Sequence, residues 1–173
     1  MVPWSGVVPE FVAPDDAYLV TKVFVSTSDT VRTHALLAPM VERRRQVLLV
    51  GSAGTGKTST INQYLRSMND QMLYCNINLN YYTDAKALQH IMEGPIDKRS
   101  GRIFGPPGTK RLVFFIDDVN MPRCDEFDTQ SPSCLLKQHM DYGSWFDPSK
   151  LEKVSGSDQH QLHARTARAH ARS

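Results

Sequence analysis

The chain has 173 residues, which is enough for one globular domain, and its 40% hydrophobic and 22% charged residues are ordinary for a soluble domain. Its 20 basic and 18 acidic residues are nearly balanced, which argues against a nucleic-acid-binding or membrane-surface protein. The apolar runs reach about five residues, whereas a membrane-spanning helix needs roughly 20, and no signal peptide is visible. Three cysteines without a CxxC pair favour a reducing compartment over a disulfide scaffold.

The first part of the chain is predicted to be only partly regular. Residues 1–20 contain three prolines and no clear periodicity, so we expect an irregular lead-in. A short β-prone segment follows at 23–25, and the polar residues 26–29 can cap a helix. Pro39 lies inside that helix and should kink it or end it early. Three arginines at 43–45 are interpreted as a solvated turn rather than as an anion site.

Strand and helix patterns then alternate. Apolar runs predict strands, and apolar residues spaced three and four apart predict helices. In chain order, we expect a strand at 47–50, a helix from Lys57 to about 68, a strand at 72–79, a helix capped by Thr83 or Asp84, a hairpin or loop at 97–111, a strand at 112–116, and a helix capped by Ser131 that ends before Gly143. This alternation is typical of an α/β domain with a parallel sheet flanked by helices.

The last segment, residues 151–173, has a different composition. After Val154 it contains no Phe, Trp, Tyr, Ile or Val. It also carries the net positive charge of the chain, because residues 1–150 hold equal numbers of acidic and basic side chains. Such a segment cannot bury a useful apolar face, so we expect a disordered tail.

The most specific motif lies between the strand at 47–50 and the helix that follows it. Eight residues match the pattern G-x-x-x-x-G-K-[ST] in full: Gly51, Ser52, Ala53, Gly54, Thr55, Gly56, Lys57 and Thr58. Glycines let successive backbone N–H groups turn towards phosphate oxygens, and the helix start adds a partial positive charge. Lys57 is predicted to reach the β- and γ-phosphates, and the Thr58 hydroxyl to ligate Mg²⁺. The motif therefore predicts a site for ATP or ADP with Mg²⁺.

Two acids directly follow the apolar strand at 112–116. Asp117 would hold Mg²⁺, mostly through water, and Asp118 would orient the attacking water as a general base. Acids at a strand end are often merely solvated, but these follow a phosphate loop by about 60 residues. Together the two motifs predict a P-loop nucleotide site with Lys57 and Asp118 as its catalytic residues.

The segment 105–110 imitates the start of a second phosphate loop. It lacks the closing G-K-[ST], and a strand follows where the helix should be. We therefore expect a turn before the acidic strand rather than a second phosphate site.

Several further strings resemble one known family, the dynein heavy chains. They are Asn-Ile-Asn-Leu-Asn at 76–80, Ile-Phe-Gly-Pro-Pro-Gly at 103–108, Phe-Ile-Asp-Asp-Val-Asn-Met-Pro at 115–122, and the continuation from 129 to 147 that contains Gln-His-Met-Asp-Tyr-Gly. The order of these strings is similar to the third AAA module of the motor ring in its axonemal form. Residues 25–32 resemble the segment that passes the adenine in that module.

The resemblance implies three parts: an irregular lead-in at 1–20, a partial AAA+ P-loop nucleotide-binding module at 21–150, and an unrelated tail at 151–173. It implies an ATP-binding module of a minus-end-directed microtubule motor of cilia or flagella, located in the cytoplasm at the cytoskeleton of the axoneme. The implied cofactors are ATP or ADP and Mg²⁺. The implied partners are neighbouring AAA modules of the same heavy chain and, only through the full motor, intermediate chains, light chains and microtubules, with no nucleic acid and no membrane.

The sequence departs from the family pattern in its length and at one acid. A complete motor is far longer, so the chain is interpreted as a fragment that stops before any sensor residue, lid helix or arginine finger. Asp118 stands where hydrolysing modules usually carry the longer Glu, so the attacking water would be poorly placed. The alternative function is therefore a regulatory module that holds nucleotide with little hydrolysis, and we expect the isolated chain to be a weak or inactive ATPase. A small-molecule kinase would need an acceptor site and a lid, for which the sequence offers no residues.

Overall fold

The computed structural model describes residues 3–12, 23–101, 103–147, 152–156 and 164–166. The helices in these ranges are a 3-10 turn (Trp4–Val7), α1 (Ser28–Glu42), α2 (Lys57–Arg66), α3 (Ala85–Glu93) and α4 (Ser131–Tyr142). The strands are β1 (Leu48–Leu49), β2 (Met72–Asn78), β3 (Asp97–Ser100), β4 (Ile103–Gly105), β5 (Arg111–Asp117), β6 (Ser144–Asp147), β7 (Glu152–Gly156) and β8 (Ala164–Thr166). Among these described helices, none has the length and apolar character needed to cross a membrane.

The main sheet has the strand order β1-β8-β5-β2, and every pair in it is parallel. The longest ladder joins β2 to β5 over seven residue pairs, from Met72 opposite Arg111 to Asn78 opposite Asp117. Parallel strands bring all their carboxyl ends to one edge, the carboxyl edge, and all their amino ends to the opposite amino edge. The predicted parallel sheet flanked by helices is confirmed.

Apolar side chains cover both faces of this sheet, in two core clusters. The cluster under α3 and α4 comprises Ile77, Leu79, Leu88, Met92, Leu112, Phe114, Ile116, Leu135, Leu136 and Trp145. The cluster under α1 and α2 comprises Leu37, Val41, Ile61, Leu65, Val113 and Phe115. Alternate residues of β5 enter opposite clusters, and this explains its uninterrupted apolar run. Asp117 is the first polar residue of this strand after the run, and it therefore marks the carboxyl edge.

A second sheet has the strand order β3-β4-β7-β6. Its β3–β4 hairpin is antiparallel, which confirms the hairpin or loop predicted at 97–111. The Arg99 guanidinium donates hydrogen bonds to the carbonyl oxygens of Pro106 and Gly108. A Cβ atom on Gly105 would lie against the Arg99 side chain, so a larger residue there would require the Arg99 side chain to move. The glycine- and proline-rich segment is a loop between two strands, as predicted.

Two predictions near the N-terminus differ from the structure. Residues 23–25 do not form a strand, because no strand among the described residues pairs with them, and the Phe24 ring instead stacks on His34. The helix α1 does not end early at Pro39, since Arg43 N–H donates to the Pro39 carbonyl oxygen over 3.1 Å. The buried Leu37 and Val41 hold the last turns of α1 on the sheet. Of the predicted lead-in at 1–20, residues 1–2 and 13–20 lie outside the described ranges.

The start of α4 also differs from the prediction. Ser131 does not cap this helix, because the N-cap is Gln130 and Ser131 is already its first residue. The Ser131 hydroxyl oxygen instead accepts a hydrogen bond from the backbone N–H of Ala85, the first residue of α3, over 3.3 Å. Asp84 caps the same helix by accepting from Ala87 N–H over 2.7 Å, as predicted for one of its two candidates. The bond between Ala85 and Ser131 joins the starts of α3 and α4 at the carboxyl edge.

Two short strands lie within the segment expected to be disordered. The strand β7 pairs with β4 and β6, and β8 lies between β1 and β5. Backbone hydrogen bonds build these pairs, so they need none of the large apolar side chains that this segment lacks. The rest of residues 151–173 lies outside the described ranges.

The two tryptophans occupy contrasting positions. Trp145 on β6 is 3% exposed, and its indole N–H donates to Glu93 Oε1 over 2.9 Å. Its ring also packs edge-on against His139, with 5.1 Å between the ring centroids. Trp4, in the 3-10 turn, is 44% exposed. Trp145 therefore ties the chain after α4 to the end of α3, whereas Trp4 belongs to neither core cluster.

Candidate functional site

The phosphate loop leaves β1 at the carboxyl edge and leads directly into α2. Gly54 and Gly56 have φ values of 80° and 74°, in the left-handed region where a side chain would be strained. Gly56 is the N-cap of α2 and offers no side chain to cap it. The first N–H groups of α2 therefore have no side-chain cap, and this is the arrangement in which a helix start binds an anion.

The Lys57 side chain folds back over the loop that precedes it. Its ammonium group donates to the carbonyl oxygens of Gly51 and Ser52 over 2.8 and 2.6 Å, and to Thr55 Oγ1 over 3.1 Å. An ammonium group has three donors, so all of them are used. Phosphate oxygens would have to replace these neutral acceptors, and a hydrogen bond from an ammonium group to a charged oxygen is stronger than one to a carbonyl or hydroxyl oxygen.

Thr58 and Asp117 meet although 59 residues separate them in the chain. The Thr58 hydroxyl donates to Asp117 Oδ2 over 2.9 Å, and this bond joins the start of α2 to the end of β5. The second carboxylate oxygen, Asp117 Oδ1, is buried and has no hydrogen-bond partner in the described residues. A hydroxyl and a carboxylate with a spare oxygen are the hard ligands that Mg²⁺ prefers, so the residues present fit a magnesium ion. The two predicted metal-binding residues are thus brought together.

Asp118 is placed differently from Asp117. Its backbone φ is 84°, an uncommon left-handed value for a residue other than glycine, and its carbonyl oxygen accepts from Met121 N–H over 2.9 Å. Its Oδ1 atom is also buried without a hydrogen-bond partner in the described part of the chain. The chain therefore turns sharply after Asp117, and the role of Asp118 as a general base stays a prediction.

Asn78 is a site residue that the motifs did not single out. It pairs with Asp117 in the β2–β5 register, so the two side chains lie side by side on the same sheet face. That face looks towards α2, since Asn76 Nδ2, two residues earlier, donates to Asn62 Oδ1 over 3.4 Å. The signal was available in the sequence, because polar Asn76 and Asn78 alternate with the buried Ile77 and Leu79.

The loop that follows Asp118 is held by its own side chains. The Asp125 carboxylate accepts hydrogen bonds from Thr129 Oγ1 at 2.5 Å, and from the N–H groups of Thr129 and Phe127, both at 2.9 Å. The bonds from Thr129 lower the pKa of this carboxyl below its ordinary value of 3.8, and the bond from Phe127 N–H adds to the effect. Gln130 Nε2 donates to the Pro122 carbonyl oxygen over 2.6 Å. These bonds fix the path from the acidic strand to α4.

The segment before α1 is anchored to the phosphate-loop helix. The Nε2 atom of His34 lies 2.9 Å from the carbonyl oxygen of Thr60 on α2. Because a carbonyl oxygen only accepts hydrogen bonds, Nε2 carries the hydrogen and donates it. The His34 ring lies between those of Phe24 and Tyr64, with centroid distances of 6.5 and 5.6 Å. Residues 25–32 therefore run close to α2, while their predicted contact with adenine stays a prediction.

The family model and the relatives that match this chain all belong to the dynein heavy chains. A family described as "P-loop containing dynein motor region" matches residues 12–173. "Dynein beta chain, ciliary" of Heliocidaris crassispina is 43% identical over 150 residues, which is 87% of this chain and 3% of the relative. "Dynein axonemal heavy chain 9" of Homo sapiens is 43% identical over 86% of this chain and 3% of the relative. "Dynein beta chain, flagellar outer arm" of Chlamydomonas reinhardtii is 42% identical over 88% of this chain, again 3% of the relative. The chain thus spans only a small part of these relatives.

Proposed function

The chain belongs to the dynein heavy chain family, in its P-loop motor region, and from this premise we propose that it is a magnesium–ATP-binding AAA+ module of an axonemal dynein heavy chain. The hydrogen bond between Thr58 and Asp117 is the observation that carries the proposal, because it joins the phosphate-loop helix to the acidic strand with one carboxylate oxygen left over. The module occupies residues 21–150 and follows the lead-in at 1–20, and the short strands β7 and β8 of the segment 151–173 add to its two sheets. Its place in the ring is the third module.

Each site residue has a defined task in this proposal. The N–H groups of residues 51–58 surround the phosphates, and Lys57 exchanges its loop acceptors for β- and γ-phosphate oxygens. Thr58 and Asp117 hold the magnesium ion, which supplies positive charge that neutralises the phosphates. Asp118 orients a water molecule as general base, and its short side chain makes hydrolysis slow.

The cellular role follows from the family as a further part of the proposal. Within the full motor, this module contributes to ATP-driven, minus-end-directed movement along axonemal microtubules in cilia or flagella. Its direct partners are the neighbouring AAA modules of the same heavy chain. Intermediate chains, light chains and microtubules are reached only through the full motor. The relatives' printed names, which are axonemal, ciliary and flagellar, support this location at the cytoskeleton.

Binding of fluorescent ADP and ATP to the purified chain tests the proposal. We expect micromolar affinity for both nucleotides and a gain from Mg²⁺ for ATP. Lys57→Ala should abolish binding, because it removes the charge that faces the phosphates. Lys86→Ala is the matched control, since Lys86 is exposed on α3, away from the phosphate loop. Phosphate release then separates hydrolysis from binding alone.

Absence of nucleotide binding by a chain that unfolds cooperatively would refute the proposed site. Equal binding by the parent chain and Lys57→Ala would place the nucleotide somewhere other than the phosphate loop.

A further inference from the structure

A groove with basic surroundings lies at the amino edge of the main sheet, opposite the phosphate loop. Its volume is about 360 Å³, and it lies where α1 and α2 end and where β2 and β5 begin. Glu42, Ser67, Thr109 and Arg111 are among the residues that line it. Several neighbours of these residues in the chain are also basic. With Arg111, the basic set comprises Arg43, Arg45, Arg66 and Lys110.

The charges of this set are not neutralised locally. All five side chains are exposed, and within the described residues none of them makes an ion pair or a side-chain hydrogen bond. The acids in the same segments are Glu42 and Asp70. Arg66 ends α2, where the helix dipole favours a cation, but Lys110 and Arg111 belong to no helix. Helix termini therefore explain only part of the cluster, and a net positive surface remains.

The floor of the groove is apolar. Val41, Met68 and Met72 line it, and all three belong to or pack against the core cluster under α1 and α2. Methionine side chains are unbranched and adapt to partners of different shape. A surface of this kind accepts one or two aliphatic side chains at its centre while the basic rim faces acidic groups.

The apolar part of the groove lining favours a polypeptide over a nucleic acid, because a polypeptide can place an aliphatic side chain on Met68 and Met72. The Tyr64 ring lines the groove and also packs against His34, with 5.6 Å between the ring centroids. Burial and, in addition, the nearby Glu42 carboxylate raise the pKa of the Tyr64 hydroxyl.

We propose that this groove docks an acidic polypeptide segment that inserts an aliphatic side chain over Met68 and Met72, while its carboxylates face Arg43, Arg66 and Arg111. The basic set, which forms the rim of the groove, selects an acidic partner. The apolar floor fixes which side chain of the partner enters the groove. Because the groove lies at the edge away from the phosphate loop, the bound segment leaves the nucleotide site open.

A fluorescein-labelled peptide in which glutamates alternate with leucines tests this proposal by fluorescence anisotropy with the full chain. We expect saturable binding that weakens strongly as salt rises, because exposed charges are screened over about 8 Å at physiological ionic strength. The double variant Arg43→Glu/Arg66→Glu should lower the affinity about tenfold or more, as two attractive charges become repulsive. The matched control Lys86→Glu/Lys137→Glu makes the same change of charge at exposed positions on α3 and α4, and should leave the affinity unchanged.

Three further measurements decide against the proposal if they come out differently. A peptide with serine in place of leucine should bind more weakly, and equal binding would exclude the apolar floor. Single-stranded oligothymidylate and vesicles containing phosphatidylserine should bind less tightly than the peptide, and tighter binding of either would overturn the choice of partner. Absence of peptide binding at low salt by the folded, unaltered chain would also overturn it. The salt titration of the unaltered chain needs no variant and is independent of any folding defect.

Discussion

The two edges of the main sheet differ in whether their charged side chains have hydrogen-bond partners. At the carboxyl edge, Lys57 uses all three of its donors, and Asp117 and Asp125 accept hydrogen bonds from Thr58 and Thr129. At the amino edge, exposed arginines and one lysine lie beside a groove with polar and apolar lining, and within the described residues they make no ion pair or side-chain hydrogen bond. The first arrangement is preorganised for one small ligand of fixed geometry. The second attracts charge without fixing its position, which suits a flexible partner.

The largest expected effect comes from a change in the core that supports both edges. Leu136 is fully buried under β5, and Leu136→Ala should cost about 2–5 kcal/mol of the free energy of unfolding because it leaves a cavity. Urea denaturation measures this loss. Leu36→Ala is the control, since Leu36 on α1 is 64% exposed and its truncation should change the stability by no more than about 0.5 kcal/mol. Equal losses in the two variants would mean that α4 does not cover β5.

Asp117→Asn should weaken ligand binding at the carboxyl edge and leave binding at the amino edge unchanged. The amide keeps the shape of the side chain but removes the charge that holds Mg²⁺, so magnesium-dependent ATP affinity should fall roughly tenfold to a hundredfold. Titration of fluorescent ATP with Mg²⁺ and with a chelator measures this, and binding of the acidic peptide at the amino edge should not change. If ATP affinity fell equally with and without Mg²⁺, Asp117 would act on the fold rather than on the metal.

Asp118→Gly should raise stability although it removes a predicted catalytic group. Glycine adopts the φ of 84° without strain, and the substitution also removes a buried oxygen that has no partner in the described residues. We expect a gain of about 0.5–1 kcal/mol, seen as a rise of about 1–4 °C in Tm. Asp118→Ala keeps the backbone strain and serves as the control. A Tm of Asp118→Gly at or below that of Asp118→Ala would argue against strain at this position.

The smallest expected effect concerns the ordered loop after the acidic strand. The Thr129 hydrogen bonds lower the pKa of the Asp125 carboxyl, so the loop gains stability above the ordinary pKa of 3.8 and loses it as pH falls through the lowered value. Thr129→Ala should move the pKa of Asp125 back towards its ordinary value. An NMR titration of the Asp125 carboxyl carbon measures this pKa in the unaltered chain and in Thr129→Ala. Ser133→Ala is the control, because it removes another hydroxyl from the same region. Identical titration midpoints would contradict the assigned bonds.

Much of the fold was predictable because local signals and packing agree in its central part. The residues 112–116 form an uninterrupted apolar run, and this run becomes a strand that is buried on both faces. The phosphate loop and Asp117 were predictable because spacing and strand position define them without any knowledge of side-chain contacts. The bond between Thr58 and Asp117 follows from those two placements.

Other features depend on contacts that local sequence does not encode. Pro39 disfavours a helix locally, yet the burial of Leu37 and Val41 carries α1 past it. The residues 23–25 favour a strand, but no strand in the described part of the chain pairs with them. The backbone φ of Asp118 depends on the turn towards Met121, and the basic rim is assembled from segments that lie far apart in the chain.

The contrast between the two tryptophans gives the chain a built-in optical reporter. Trp145 is shielded from water and packed against His139, whereas Trp4 is accessible. A water-soluble quencher such as iodide should therefore remove the emission of Trp4 first and leave a blue-shifted component from Trp145. Only this second component should shift to the red when α4 leaves the sheet. Its intensity thus reports the state of the core without a label, while ligands are added at either edge.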